Sequence, residues 1–303
     1  MKIVLLGSTG QIGWELQRTL APLGRVIPLQ RQGNNLLCGD LLHIDDLKKS
    51  IRILQPNIIV NAAAYTAVDQ AETDADLAEA INADAPEMLA REAEHLDAWY
   101  VHYSTDYVFD GTESSPRKEG DTTQPINIYG STKLRGEQGV KTATKRHLIF
   151  RTQWIYSTRG KNFLRTILRL ASERELLKVI DDQFGAPTGA ELVADVTAHA
   201  LHTALRKPET AGTYHLAARG KATWFEYAKY AIETARQEGW EIKTPSDAIE
   251  PVKSSAYPTQ ARRPLYTCLD CSKIEQTFKI SMPDWHDGIK RVIMQLRSTE
   301  AKE

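Results

Sequence analysis

The first strand and the glycine loop behind it decide most of what this chain can fold into. Lys2 to Leu6 is a short, continuous apolar run of the kind that forms a strand buried on both faces, and it runs directly into Gly7-Ser8-Thr9-Gly10-Gln11-Ile12-Gly13. Ile12, Leu16, Leu20 and Leu23 then recur at spacings of four, four and three, which predicts an amphipathic helix stopping at Gly24. Glycines at such a junction let the backbone approach a pyrophosphate, and the helix N-terminus offers free N–H groups and the positive end of its dipole to the anion. Gly7, Gly10 and Gly13 follow G-x-x-G-x-x-G, not the G-x-G-x-x-G of the standard fingerprint. The spacing alone also fits a tight turn with no ligand; the buried strand before it and the amphipathic helix after it point to dinucleotide binding.

The same alternation continues down the chain. Val26 to Leu29 reads as a second strand, Ile44 to Leu54 as a helix closed by Pro56, and Asn57 to Asn61 as a third strand. Asp69 to His95 reads as helical and broken before Pro86, and Trp99 to Ser104 as strand. A loop from Gly111 to Pro125 leads to a helix carrying Tyr129 and Lys133, and His147 to Arg151 is strand again. This pattern predicts an α/β fold with a Rossmann-type, doubly wound parallel sheet. From Trp154 onward the alternation loosens into helices at 162–171, 191–205 and 223–237 with strand-like 177–180 and 212–217 between them. The expected division is a dinucleotide-binding domain over 1–153, rejoined by 188–217, and a smaller C-terminal substrate-binding lobe built mainly from 154–303.

The 303 residues suffice for a sizeable core, and 38 Lys and Arg against 39 Asp and Glu leave a net charge of −1 with no long block of either sign. Nucleic acid and anionic membrane are therefore excluded as expected partners. No apolar run approaches the roughly 20 residues of a membrane span, and the run at the start is too short for a signal-peptide core, so a soluble cytoplasmic protein is expected. Three cysteines, Cys38, Cys268 and Cys271, are an odd number and argue against a disulfide framework. Cys268-Leu269-Asp270-Cys271 lacks the second ligand pair that zinc requires, and the histidines show no metal-binding spacing.

Candidate chemistry concentrates at three places. Tyr129 and Lys133 stand at i and i+4, hence on one face of a helix, where the ammonium is expected to favour the phenolate and make Tyr129 a usable acid and base. An exposed Tyr and Lys on an ordinary helix have the same spacing. Thr105 and Asp106 follow a strand and so lie at the carboxyl edge of the sheet, where open α/β sheets bind ligands and a hydroxyl can polarise a substrate carbonyl. The second strand ends Leu29-Gln30-Arg31: no acid is present for a ribose 2′-hydroxyl, and Arg31 is available for a 2′-phosphate, so NADPH is the expected cofactor, with NADH as the alternative. Asp40 is placed to meet the adenine edge, and Asn61-Ala62-Ala63-Ala64-Tyr65-Thr66 leaves the third strand with small residues that permit close approach to the backbone. Arg262 and Arg263 beside Pro264 are candidates for clamping a diphosphate.

Together, GSTGQIG, the segment Ser104 to Gly111 (STDYVFDG) and Tyr129-x-x-x-Lys133 resemble the extended short-chain dehydrogenase/reductase superfamily. VNAAAYTAVDQAE (Val60 to Glu72), YGSTKLRGE (Tyr129 to Glu137), FRTQWIY (Phe150 to Tyr156), DDQFGAPTGAEL (Asp181 to Leu192) and YPTQARRP resemble more closely its dTDP-4-dehydrorhamnose reductase family. The resemblance implies a dTDP-linked 4-keto-6-deoxy sugar as substrate, with Thr105, Tyr129 and Lys133 as the catalytic trio. It places Gly10, Gln11, Ile12, Asp40, Leu41, Ala64, Tyr65 and Thr66 at cofactor positions, and Thr105, Asp106 and Trp154 beside the sugar. Some members pair subunits through magnesium held by acidic side chains. Glu15 and Glu191 match part of that set, but Gln295 stands where a further Glu would be expected, so a homodimer is an expectation and no metal site is assigned. An epimerase, a dehydratase or a ketoreductase of other stereochemistry remains an alternative on this fold, although a dehydratase usually has a second acid where Tyr107 stands. A nucleotide-binding subunit without turnover is the alternative of another class.

Overall fold

A computed structural model of the chain describes residues 1–31 and 37–300. Strand β1 (Lys2–Leu6) is buried beyond its first residue and leads through Gly7 into helix α1 (Gln11–Thr19). This helix is shorter than its apolar periodicity predicts: Leu20 caps it, and Ala21–Leu23 closes as a 3-10 turn. Pro22 has no N–H to continue the α ladder, yet the turn still carries Leu23 onto the core. Next come β2 (Arg25–Leu29), α2 (Ile44–Leu54) and β3 (Ile58–Asn61).

The segment expected as one helix broken before Pro86 is four pieces: α3 (Val68–Ala71), α4 (Ala75–Glu79), a π turn at Ala80–Asp84 and α5 (Ala85–His95). The wide turn falls immediately before Pro86, which sits in the first turn of α5 where its missing N–H is not needed. After β4 (Trp99–Thr105) come α6 (Ile128–Ala143) and β5 (His147–Thr152). The remaining helices are α7 (Phe163–Glu173), α8 (Ala190–Ala204), α9 (Trp224–Gln237), α10 (Ser272–Phe278) and α11 (Trp285–Glu300), with strand β6 (Gly212–His215) between α8 and α9.

The main sheet has six parallel strands in the order β2-β1-β3-β4-β5-β6. The winding turns back at β1, since β2 lies on one side of it and β3 to β6 on the other. In such sheets the crevice beyond the carboxyl ends of the strands at this reversal is where ligands bind. Pleating sends alternate residues to opposite faces. Ile3 and Leu5 join Leu16, Val101, Phe150, Val193 and Leu201 beneath α1 and α8, while Val4 and Leu6 join Leu47, Ile51, Leu89 and Val140 beneath α2, α5 and α6. Thus α8 and β6, which lie in the second half of the sequence, are parts of this sheet layer.

A second core, with Leu164, Leu168, Tyr227, Ile232, Trp285 and Ile293, holds α7, α9 and α11 together. At its edge, Leu177–Ile180 pairs in parallel with Ile249–Val252 outside the main sheet. Helix α9 opens with a capping box: the Thr223 hydroxyl accepts the Glu226 N–H at 3.1 Å while the Glu226 carboxylate accepts the Thr223 N–H at 2.8 Å.

Candidate active site

The glycine loop is held closed by contacts that leave no room for side chains. Gly7 adopts φ +73°, in the left-handed region that favours glycine, and the Gly10 N–H returns to its carbonyl at 3.0 Å. A Cβ on Gly13 would collide with that same carbonyl oxygen. The loop borders a cleft of about 450 Å³ at the carboxyl ends of β1 and β2, lined among others by Gly7, Arg31, Asp40, Leu41 and Ala64. These are five of the residues that sequence reasoning assigned to a dinucleotide. Arg31 Nε lies 3.2 Å from Asp40 Oδ2, with the guanidinium largely in solvent, so the two expected adenosine contacts are partners of each other.

Gly10, Gln11 and Ile12 form the start of α1, and the Gln11 side chain turns away from the loop to accept hydrogen bonds from Ser157 Oγ at 3.0 Å and Asn162 Nδ2 at 2.9 Å. Asn162 is itself the N-cap of α7, so one amide joins the glycine loop to the second core. Tyr65 is fixed through its backbone: its N–H donates to Asn82 Oδ1 at 2.9 Å, and its carbonyl accepts from Asn82 Nδ2 at 3.1 Å. Thr66, next on that loop, is exposed. Asn82 lies in the π turn, is fully buried, and also reaches Thr132 of α6 at 3.2 Å. Sequence reasoning missed it, since nothing in the sequence marks a π turn. A glycine cradle that a Cβ would fill, ahead of a helix N-terminus and next to an arginine, fits a dinucleotide.

Helix α6 carries Tyr129 and Lys133. Its N-cap is Asn127, whose Oδ1 accepts the Gly130 N–H at 2.8 Å while its Nδ2 donates to the carbonyl of Arg262 at 2.8 Å. An Asn three residues before a glycine at the start of a helix is a readable cap signal that sequence reasoning passed over. The Tyr129 phenol is a neighbour of the Thr105 hydroxyl, at the end of β4, and its ring meets that of Tyr107 edge-on at 5.8 Å. Thr105 Oγ1 donates to Asp106 Oδ1 at 3.0 Å and accepts the Tyr107 N–H at 3.2 Å. Thr105, Asp106, Tyr129 and Lys133 are thus gathered at the carboxyl edge of the sheet.

One electrostatic expectation is corrected. Burial pushes the Tyr129 phenol up to about 12, the neighbouring Thr105 hydroxyl offsets only part of this, and the Lys133 ammonium does not pull it down. The cause is geometric: Lys133 is 2 % exposed and directs Nζ to the carbonyl of Tyr103 at 2.6 Å, on the strand just before Thr105. Burial in turn pushes the Lys133 amine down to about 8, with Glu137 opposing that shift. Glu137 is held by a buried bidentate pair with Arg151, at 2.8 and 2.7 Å.

A second, larger cleft of about 810 Å³ is lined by Phe163, Gln183, Trp224, Tyr257, Arg262 and Arg263 among others, and the carbonyl of its Arg262 accepts Asn127 Nδ2 at the start of α6. Arg263 is half-buried and paired with Asp69 at 2.8 Å, whereas Arg262 is exposed. Trp154 adopts φ +47° and stacks on Trp224 at 3.6 Å between ring centroids; a side chain on Gly185 would meet its indole. The Trp224 indole N–H donates to Gln183 at 3.1 Å. Neither Trp224 nor Gln183 was singled out from the sequence: Trp224 lies in no motif, and Gln183 lies within DDQFGAPTGAEL without a role of its own.

Glu15 and Glu191 repel each other enough to help raise the Glu15 carboxyl, after burial, but both oxygens of Glu191 are taken, one by Arg291 and one by Gln295, each at 3.2 Å. Among the described residues no group of three His, Cys, Asp or Glu could hold a metal ion. Cys268 is raised to about 11 and Cys271 to about 12 by burial, so neither is a reactive thiolate. Among the described residues no helix is long and apolar enough to cross a membrane.

Comparison with known proteins places this geometry. The family model described as the RmlD substrate binding domain matches residues 1–298. The dTDP-4-dehydrorhamnose reductase of Escherichia coli K12 is 50 % identical over 301 residues, covering 99 % of this chain and all of that protein. The dTDP-4-dehydrorhamnose reductase of Bacillus anthracis, solved in complex with NADP, superposes with a TM-score of 0.87 at 34 % identity, covering 97 % of this chain and 99 % of that one. The ortholog from Clostridium acetobutylicum gives 0.87 at 33 % identity, covering 98 % and 100 %. Matches of this extent over both the sheet and the second core show that the chain belongs to the dTDP-4-dehydrorhamnose reductase family of NAD(P)H-dependent oxidoreductases.

Proposed function

We propose that this chain reduces the C4 keto group of dTDP-4-dehydro-6-deoxy-L-mannose (dTDP-4-dehydrorhamnose) to give dTDP-L-rhamnose, with NADPH as reductant and Tyr129 as proton donor. The observation that carries the reading is the gathering of Thr105, Tyr129 and Lys133 at the carboxyl edge of the sheet, with the start of α6 tied through Asn127 to Arg262 of the cleft of about 810 Å³. A phenol kept protonated at neutral pH, as burial keeps Tyr129, is the form that can give a proton to a developing alkoxide. Thr105 orients the carbonyl, Trp154 and Asp106 border the sugar, and Arg262 and Arg263 receive the diphosphate.

The dinucleotide is held by Gly7, Gly10, Gln11 and Ile12 at its phosphates, by Ala64, Tyr65 and Thr66 along the loop after β3, and by Asp40 and Leu41 at the adenine. Lys133 holds the nicotinamide ribose next to Tyr129. Bound there, the nicotinamide supplies the hydride of the reduction. Arg31 meets the 2′-phosphate, which is why NADPH is preferred; Gln30 in place of an acid removes the group that would favour NADH. In this reading the cofactor body comes mainly from 1–153 rejoined by 188–217, the lobe from 154–303 binds the sugar nucleotide, and the enzyme works in the cytoplasm.

The test is incubation of the protein with the dTDP-4-keto sugar and NADPH, following cofactor oxidation and determining the configuration of the product at C4. A product other than dTDP-L-rhamnose overturns the substrate assignment, and absence of cofactor oxidation overturns the reductase reading of this chain.

A further inference from the structure

The indole of Trp224 and the amide of Gln183 meet because their backbones are neighbours. Ala222–Thr223 pairs antiparallel with Phe184–Gly185, Thr223 opposite Phe184, so the next residues along are Trp224 and Gln183. Thr223 also donates to Asp181 Oδ1 at 2.7 Å and caps α9, whose first residue is Trp224. The Trp224 ring in turn stacks on Trp154 at 3.6 Å between centroids. A ladder, a cap and a stack therefore hold the indole in place.

This anchoring settles which way round the Gln183 amide sits. An indole N–H can only donate, so the atom it meets at 3.1 Å is the amide oxygen, and the NH₂ group is left for another partner. Gln183 is 6 % exposed, and it lines the cleft of about 810 Å³ together with Trp224 and Phe163. Its Nε2 has no acceptor among the described residues, and it is not among the nitrogens sealed inside the fold, as that of Trp240 is. A nearly dry donor without an acceptor, on the wall of a cleft, discriminates between ligands. A molecule that offers an oxygen there gains a hydrogen bond with little competition from water, and one that does not leaves the N–H unpaired.

The position of this donor relative to the chemistry follows from a short chain of contacts. The carbonyl of Phe184, next to Gln183, accepts the Thr267 N–H at 2.9 Å, and Thr267 Oγ1 lies 3.3 Å from Gln153 Oε1. Gln153 follows Thr152, which stands opposite Thr105 in the register of β4 and β5. The segment carrying Gln183 is thus tied to the strand ends where the reacting hexose lies in the proposed reduction.

We propose that Gln183 is a sugar-recognition residue of this enzyme, its Nε2 donating to a hydroxyl oxygen of the hexose, and that Trp224 is the positioning residue that keeps the amide in that orientation. The assignment rests on the reduction proposed above and leaves Thr105 and Tyr129 to the C4 carbonyl. It gives the cleft a means of distinguishing the sugar nucleotide from the bare nucleotide.

The test is calorimetric titration with dTDP-L-rhamnose and with dTDP, which lacks the hexose, both in the presence of NADPH, with which neither ligand reacts. Gln183→Met is expected to weaken dTDP-L-rhamnose about tenfold and dTDP by less than about twofold. Trp224→Phe keeps a ring to stack on Trp154 and loses the N–H; it should weaken dTDP-L-rhamnose about threefold and add nothing in the Gln183→Met background. A merely structural Gln183 would instead weaken both ligands alike and add to Trp224→Phe. That result, or an unchanged affinity for dTDP-L-rhamnose, overturns the assignment; should Gln183→Met not fold, Trp224→Phe decides by the same ratio between the two ligands. Wild-type oxidation of NADPH by the keto sugar tests the reduction separately: its absence overturns that reading, whereas its presence with an unaltered ligand ratio in the variants overturns only the role of Gln183.

Discussion

The Nζ of Lys133 donates to the carbonyl oxygen of Tyr103 at 2.6 Å, so the helix bearing Tyr129 is tied to the strand that ends in Thr105 by a buried ammonium. A charge placed there has lost its water and gained one carbonyl, with Glu137, one helical turn away, already held by Arg151. The arrangement fixes geometry by giving up solvation, and the loss is measurable.

Stability should depend on pH through this group. The Lys133 amine is lowered from 10.5 in a free side chain to about 8 in the folded protein, a difference on the order of 3 kcal/mol. Below about pH 8 both states bind the proton and the burial penalty is present in full. Between about 8 and 10.5 the unfolded chain binds it and the folded chain does not, so this contribution to stability rises with pH. Urea unfolding of the wild type and Lys133→Met at pH 7.5 and pH 10 should show the wild type gaining about 2 kcal/mol relative to the variant. An unchanged difference would mean that Lys133 titrates normally.

Arg151 and Glu137 are 2 % and 0 % exposed, so neither can fall back on water if its partner is removed. Glu137→Gln is expected to destabilise the fold by about 3–5 kcal/mol, while Glu137→Leu combined with Arg151→Met should cost clearly less, because the pair is then replaced and not broken. Denaturant midpoints at constant m-value provide the measurement.

Arg31 holds Asp40 at 3.2 Å on the rim of the cleft beyond β1 and β2, largely in solvent, where its ion pair is worth little to stability. Arg31→Ala should therefore leave the unfolding midpoint unchanged. It should raise KM for NADPH about tenfold, the scale of one lost charge-assisted contact, and leave KM for NADH within about twofold. Equal effects on the two cofactors would remove Arg31 from the 2′-phosphate.

Gly13→Ala puts a Cβ against the carbonyl oxygen of Gly7, backbone against which a methyl has nowhere to go. A loss of about 1–3 kcal/mol in stability is expected together with weaker dinucleotide binding, read by calorimetric titration with NADPH. Gly120→Ala is the control: nothing lies within 4 Å of its added Cβ, and both readouts should stay at wild-type values.

The sheet was legible because most of its strands are apolar runs bounded by glycine, proline or polar residues, and β1 to β5 lie within a residue or two of where that rule puts them. The helical breaks were less so. Pro22 ended α1 early although Leu20 and Leu23 kept the apolar spacing, and no local signal marks the π turn at Ala80–Asp84. At the site, spacing brought Tyr129 and Lys133 to one helix, but the partner that the lysine chooses depends on where β4 ends, and the phenol is raised in consequence of burial. Asn82, Gln183 and Trp224 act through contacts across long sequence separations, and their types are common in ordinary packing.

Helix α8 and strand β6 belong to the main sheet layer although α7 precedes them and α9 follows them in the second core, and α10 then returns Ile274 and Phe278 to the sheet before α11 leaves it again. The polypeptide is thus laced through both cores like a seam. No single cut divides it into two transferable modules, and a chimera that swapped the lobe of one relative for that of another would have to exchange several stitches together.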